Sequence, residues 1–198
     1  MPSPLDTVLD RLYADDARQR AAGLPSSQRT RNLERETGHW LRLLVLATGA
    51  RAILEIGSSN GVSTLWLASA AAETGGHVTG TELIPERAAA ANAHLAEARL
   101  GRVATVLPGD ALTAVAGLAG PFDLVFIDAE KDDYIAHFER VVGKVRNGGL
   151  VLADNVISHD CRAFQNFVRN SPSFTTFTVP LDRGLEYTVF IGDGTRHG

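Results

Sequence analysis

From Ala52 onward the chain alternates short apolar runs with segments of helical periodicity, and this alternation constrains the fold more than any other feature. The runs are Ala52 to Ile56, His77 to Glu82, Val103 to Leu107, Phe122 to Asp128 and Leu150 to Asp154. Between them the pattern predicts helices over about 62–73, 85–99, 111–117 and 131–145. Apolar strands joined by helical crossovers build a mainly parallel sheet with helices on both faces. Phe174 to Val179 and Glu186 to Ile191 flank Pro180-Leu181-Asp182-Arg183-Gly184, which predicts two antiparallel strands around a turn. The expected class is therefore α/β: a doubly wound, mainly parallel seven-stranded sheet with an antiparallel C-terminal strand.

Two helices should precede this core. Ser3-Pro4-Leu5-Asp6 combines an N-cap serine, a proline at the first helical position and an early acid, and Leu5, Val8, Leu9 and Leu12 follow at helical spacing. The stretch from Ala21 to Ser27 breaks that helix, and periodicity resumes over about Asn32 to Thr48. With 198 residues, 44% of them hydrophobic, the chain can bury one sizeable core and is short for two. One domain over 1–198 is expected: N-terminal helices over 1–50, a core over 51–155, and a C-terminal helix and hairpin over 156–198.

A formal net charge of −4 provides no overall attraction to phosphate backbones or anionic membranes. Seven arginines (11, 18, 20, 29, 31, 35 and 42) do crowd the first 42 residues, but they alternate with Asp6, Asp10, Asp15, Asp16, Glu34 and Glu36, so a solvated helix face is favoured over a basic patch. The single cysteine, Cys161, can form neither an intramolecular disulfide nor a thiolate metal site, which fits a reducing cytoplasm. No segment reads as a secretion signal or a membrane span.

In a doubly wound sheet, ligands bind beyond the carboxyl ends of the strands, where the strand order reverses. The first strand ends in Glu55-Ile56-Gly57-Ser58-Ser59-Asn60-Gly61 and leads into a helix containing Ser63. Glycines 57 and 61 allow a sharp turn and close approach to a ligand, while the helix N-terminus offers unpaired N–H groups. Ser59 stands where a dinucleotide motif would place its second glycine, which disfavours a nicotinamide cofactor. Glu82 closes the second strand, where a carboxylate can accept hydrogen bonds from both hydroxyls of a ribose, and Gly109-Asp110-Ala111 closes the third, where an adenine edge could lie.

The fourth strand delivers Asp128-Ala129-Glu130-Lys131, and the fifth delivers Asp154-Asn155. Adjacent parallel strands set their carboxyl ends side by side, so these groups can converge although 26 residues separate the two aspartates. Two carboxylates and an amide carbonyl form a hard-oxygen site suited to Mg²⁺, Mn²⁺ or Ca²⁺. Lys131 lies within reach of whatever a cation there would hold, and a neighbouring cation favours a lysine's neutral form, able to accept a hydroxyl proton. His159 is read as an exposed loop residue, Tyr134 as packing its helix on the sheet, and His39 and Trp40 as part of the second helix.

These segments resemble the metal-dependent O-methyltransferases of the catechol and caffeoyl-coenzyme A type. The resemblance rests on Glu55-Ile56-Gly57 with Gly61 and Ser63, Glu82, Asp128-Ala129-Glu130-Lys131 with Tyr134, Gly148-Gly149 through Asp154-Asn155, and Val179 to Leu185. It implies the Rossmann-like class I methyltransferase fold, S-adenosylmethionine as cofactor and a divalent metal, magnesium foremost. Residue by residue, it implies that Asp128, Asp154 and Asn155 bind metal and that Lys131 is the base, acting with Asp128. Gly57, Ser58 and Ser63 would hold the methionine part of the cofactor, Glu82 its ribose, Asp110 and Ala111 its adenine, with Glu55 and Asp128 also binding the cofactor. The implied partner is a small hydroxylated aromatic, and the family suggests a homodimer. Two other readings share these residues: methylation of a hydroxylated uridine in tRNA through the arginine-rich N-terminus, and a non-catalytic cofactor-binding module.

Overall fold

The computed structural model describes residues 2–25 and 28–192. Two helices come first, α1 (Pro4–Ala21) and α2 (Arg35–Thr48). The Ser3 hydroxyl caps α1 by accepting from the Asp6 N–H at 3.1 Å, and the Asp6 carboxylate accepts in return from the Ser3 N–H at 3.2 Å. Helix α1 buries Val8, Leu9 and Leu12. The break that follows includes Ser26 and Ser27, which lie outside the described residues.

The core then alternates β1 (Ala52–Ile56), α3 (Val62–Thr74), β2 (His77–Glu82), α4 (Pro85–Glu97), β3 (Ala104–Pro108), α5 (Ala111–Gly117), β4 (Phe122–Ile127), α6 (Tyr134–Val142) and β5 (Val145–Ala153). Helix α7 (Arg162–Arg169) and the hairpin β6 (Phe174–Val179) and β7 (Leu185–Phe190) complete it. The seven strands form one sheet in the order β3-β2-β1-β4-β5-β7-β6. Strands β1 to β5 are mutually parallel, while β7 runs antiparallel to both β5 and β6. This is the doubly wound, mainly parallel sheet expected from the alternation of runs, and it matches the class I methyltransferase fold that the resemblance implies.

Successive strand residues feed opposite faces of the sheet. Ile53, Leu124, Phe126 and Leu152 pack with α1 to α4, whereas Leu54, Ile56, Val125, Ile127 and Val151 pack with Tyr134, Phe138 and Phe164. Helix α3 is buried all round from Val62 to Ala71, since it lies between the sheet and the two N-terminal helices. On the hairpin side, the fully buried Glu186 accepts from Arg169, Gln165, Thr176 and Thr178, which fastens α7 to β6 and β7.

Two boundaries depart from expectation for physical reasons. Strand β5 begins at Val145, five residues before its apolar run, because Arg146, Asn147 and the glycines continue an edge whose register slips between Phe122 and Leu124. The helix expected over 131–145 opens instead as a tight 3₁₀ turn, Lys131–Asp133, before α6, and shows that Lys131 sits on a turn rather than a helix face. Among the described residues, no helix is long and apolar enough to cross a membrane.

At the amino ends of the strands the chemistry is structural. The Asp123 carboxylate accepts from the Arg51 and Ala52 N–H groups, each at 2.8 Å, and from Arg146 Nε at 2.6 Å. Burial pushes its pKa up, but these donors outweigh burial and hold it below the ordinary carboxylate range. A depressed carboxyl stabilises the fold above its unfolded value of about 4, and that contribution is lost as pH falls through the folded value. Urea unfolding should therefore find Asp123→Asn less stable by about 1–2 kcal/mol at pH 7, with the gap to the parent protein narrowing as the pH drops below about 4.

Candidate active site

The strand order reverses between β1 and β4, and a cavity of about 440 Å³ opens there beyond the carboxyl ends of the strands. Register across the sheet fixes what lines it. Ile56 pairs with Ile127, and Ile127 pairs with Ala153, so Gly57, Asp128 and Asp154 emerge in a row. Gly57 has φ +90°, and a Cβ there would lie 2.3 Å from the Asp128 carbonyl oxygen. Only glycine lets the β1 turn press against the end of β4.

The turn is shaped from beneath. Glu55 is fully buried; its Oε2 accepts from Ser58 Oγ at 2.6 Å and from Thr64 Oγ1, while Oε1 has no partner among the described residues. Burial pushes the Glu55 pKa up against the pull of these hydroxyls. Ser58 and Ser63 are buried as well, and none of the three lines the cavity. Glu55 and Ser58 brace the glycine turn from beneath, and the cavity wall there is made by Gly57 and Ser59. Glu82 does line it, with Oε2 accepting from the Ser59 N–H at 2.8 Å and Oε1 from the Ile84 N–H at 3.0 Å. Asp110 and Ala111 line it too; Asp110 caps α5 by accepting from the Thr113 N–H at 2.8 Å and hydroxyl at 2.7 Å, and these bonds lower its pKa.

At the other end, Asp128 Oδ1 accepts from Lys131 Nζ at 3.1 Å and from Asn155 Nδ2 at 3.0 Å. Lys131 Nζ also donates to the Ala129 carbonyl at 3.0 Å and to the Tyr134 hydroxyl at 2.5 Å. The Tyr134 hydroxyl in turn donates to the Asp154 carbonyl at 2.9 Å. Tyr134 thus does more than pack α6, and its buried phenol, with a pKa raised well above 10, links both strand ends. Burial, with Asp128 close by, pushes the Asp154 pKa up to about 7. The expected convergence of Asp128, Lys131, Asp154 and Asn155 is observed.

The donor set fits a hard divalent cation. Two carboxylates face one cavity, and burying them together without a cation costs enough to drive Asp154 towards protonation. The Asn155 amide, on a residue with φ +63°, spends its N–H on Asp128, and its oxygen accepts nothing among the described residues. No group of three or more His, Cys, Asp or Glu side chains able to hold a metal occurs among the described residues, so a cation here would depend on two carboxylates and the amide.

Among the described residues, none of the remaining sequence candidates is hydrogen-bonded to this cluster. His159 lines the cavity mouth, exposed, with Nδ1 2.9 Å from Ser158 Oγ. Cys161 is buried among apolar neighbours, and His39 packs on Trp66. Six of the seven N-terminal arginines are ion-paired: Arg11 with Glu97, Arg18 with Asp15, Arg20 with Asp16, Arg31 with Glu130, Arg35 with Asp10 and Arg42 with Glu73. The acids interleaved in the sequence, and others further along it, compensate the arginines.

Residues 8–166 match a family model described as O-methyltransferase. The chain is 37% identical over 161 residues to a catechol O-methyltransferase of Mycobacterium tuberculosis, covering 79% of this chain and 73% of that one. It is 36% identical over 163 residues to caffeoyl-CoA O-methyltransferase 1 of Zea mays, covering 76% of this chain and 61% of that one. Among solved structures, the O-methyltransferase from Bacillus cereus in complex with SAH superimposes with a TM-score of 0.80 at 28% identity, over 96% of this chain and 92% of that chain. TomG from Streptomyces achromogenes, an O-methyltransferase in complex with SAM, gives 0.78 at 27% identity, over 91% and 89%. With its fold and these relatives in agreement, the chain belongs to the O-methyltransferase family, as an S-adenosylmethionine-dependent enzyme of the catechol and caffeoyl-CoA type.

Proposed function

We propose that this enzyme methylates one hydroxyl of a small catechol-like diol with the help of a divalent cation. The observation that carries the proposal is the linked cluster of Asp128, Lys131, Asp154 and Asn155 on the wall of a cavity that also reaches Glu82 and Asp110. Gly57, Ser59, Glu82, Asp110, Ala111 and Asp128 would hold S-adenosylmethionine, with Glu55 and Ser58 bracing the turn. Asp128, Asp154 and Asn155 would hold the cation, magnesium foremost, which when bound acidifies a hydroxyl oxygen beside it. A ligand set with only three protein groups leaves room for two neighbouring substrate oxygens, which is why a diol is favoured.

Lys131 is the residue that removes the hydroxyl proton, at Nζ. Its position is set by three acceptors: Asp128 Oδ1, the Ala129 carbonyl and the Tyr134 hydroxyl. The oxyanion left behind is the nucleophile for the methyl group, and the chain's share of the acceleration is alignment and charge compensation. Tyr134 is a positioning residue: its phenol stays protonated, so it can donate to the Asp154 carbonyl while accepting from Lys131.

Lys131→Ala should lower kcat on a catechol by about 100-fold or more, while calorimetry shows S-adenosylhomocysteine binding unchanged. Chelation by EDTA should abolish turnover and Mg²⁺ should restore it; methyl transfer that survives chelation, or no transfer to any diol or phenol, refutes the proposal. Tyr134→Phe leaves the Asp154 carbonyl without its donor and should cost about 1–3 kcal/mol of stability in urea unfolding. It should also lower kcat by roughly tenfold, equivalent to about 1.4 kcal/mol, with KM for S-adenosylmethionine unchanged.

A further inference from the structure

Arg29 is the one arginine of the N-terminal seven without an ion pair among the described residues. It is half-buried, it lines the cavity, and its Nε is buried with no hydrogen-bond partner among the described residues. A guanidinium is always charged, and withdrawing that charge from water without a partner is costly. Among the described residues, Arg29 Nε is the one buried guanidinium nitrogen without a partner, and Arg29 stands on the wall of the cavity.

The neighbours of Arg29 say which part of the cavity it serves. The Thr30 carbonyl accepts from Ser59 Oγ at 3.0 Å, and Arg31 reaches Glu130 at 3.3 Å. Residues 29–31 therefore lie across both the glycine turn and the Asp128–Lys131 loop, the side where an acceptor must meet Lys131. Other cations on that side are already compensated: Arg20 and Arg183 approach Glu34 at 3.6 and 3.4 Å, and Lys131 approaches Asp128 at 3.1 Å. Arg87, also without an ion pair among the described residues, stands on α4 beside Leu83 and Ile84, next to Glu82.

We infer that the acceptor carries an acidic group and that Arg29 receives it, which makes Arg29 a specificity-determining residue. The inference rests on the diol reading of the site. A guanidinium fork binds a carboxylate or a phosphate in the same bidentate way, so the recognised chemistry is an oxyanion attached to the diol.

The test compares kcat/KM for 3,4-dihydroxybenzoate, its neutral methyl ester and its coenzyme A thioester, which share the diol and differ in charge. The parent enzyme should prefer one charged acceptor over the ester by at least about tenfold, equivalent to about 1.4 kcal/mol. Arg29→Met should erase that preference, and Arg29→Lys should keep part of it. A lost preference for the free acid assigns a carboxylate, and one for the thioester assigns phosphate; either supports the inference. Equal use of ester and charged acceptors by the parent enzyme overturns it while leaving the diol reading intact. So does an Arg29→Met variant that keeps the preference but binds S-adenosylhomocysteine more weakly by calorimetry, which would assign Arg29 to the cofactor's own carboxylate. If none of the three diols is methylated, the diol reading falls and the inference falls with it.

Discussion

The site depends on the in-register ending of three parallel strands. Ile56, Ile127 and Ala153 lie side by side, so the chain leaves β1, β4 and β5 at one level of the sheet and on one edge of the cavity. The backbone contact of Gly57 with the Asp128 carbonyl seals that arrangement. A slip of one residue would turn each departing side chain to the opposite face. The cofactor turn and the Asp128–Lys131 turn therefore form one rigid corner rather than two loops that must find each other.

Four carboxylates gather around this corner, and their environments divide their roles. Glu82 is nearly enclosed but accepts two backbone N–H bonds, so its charge is compensated by the fold. Glu55 receives hydroxyl donors on one oxygen only, and burial dominates it. Asp128 shares its charge with Lys131 and Asn155. Asp154 is buried beside Asp128, and burial pushes its pKa up to about 7. Perturbed carboxylates cluster at functional sites, and here Asp154 stands close to a lysine held by three acceptors.

Much of this was legible in the chain itself. The run-and-helix alternation yields the sheet, and ligand-type residues at strand ends yield Asp128, Asp154, Asn155 and Glu82. What escaped had weak or ambiguous sequence signals. Periodicity over 131–145 merges the Lys131 turn with α6, because a 3₁₀ turn and the helix it opens share the same early spacing. The amino half of β5 is polar and rich in glycine, so hydrophobicity could not reveal it. Glu55 sits in the motif that marks the glycine turn, and its bonds to Ser58 and Thr64, which brace that turn, have no signature in the sequence. The phenol of Tyr134 looked like packing because its two partners arrive from different strand ends.

The wall facing Lys131 is built from parts that lie outside the parallel sheet. Val156, Ile157 and Ser158 donate their N–H groups to the Gly184 and Arg183 carbonyls of the hairpin turn, and Thr37 at the start of α2 donates its hydroxyl to Asp182 in the same turn. Residues 29–31 reach the cavity from the segment between the first two helices. Drift in either appendage can reshape what enters the pocket without disturbing the strand ends proposed to hold the methyl donor. The architecture thus separates inheritance of the reaction from choice of its recipient, and lets one scaffold diversify across acceptors while its reacting corner stays fixed.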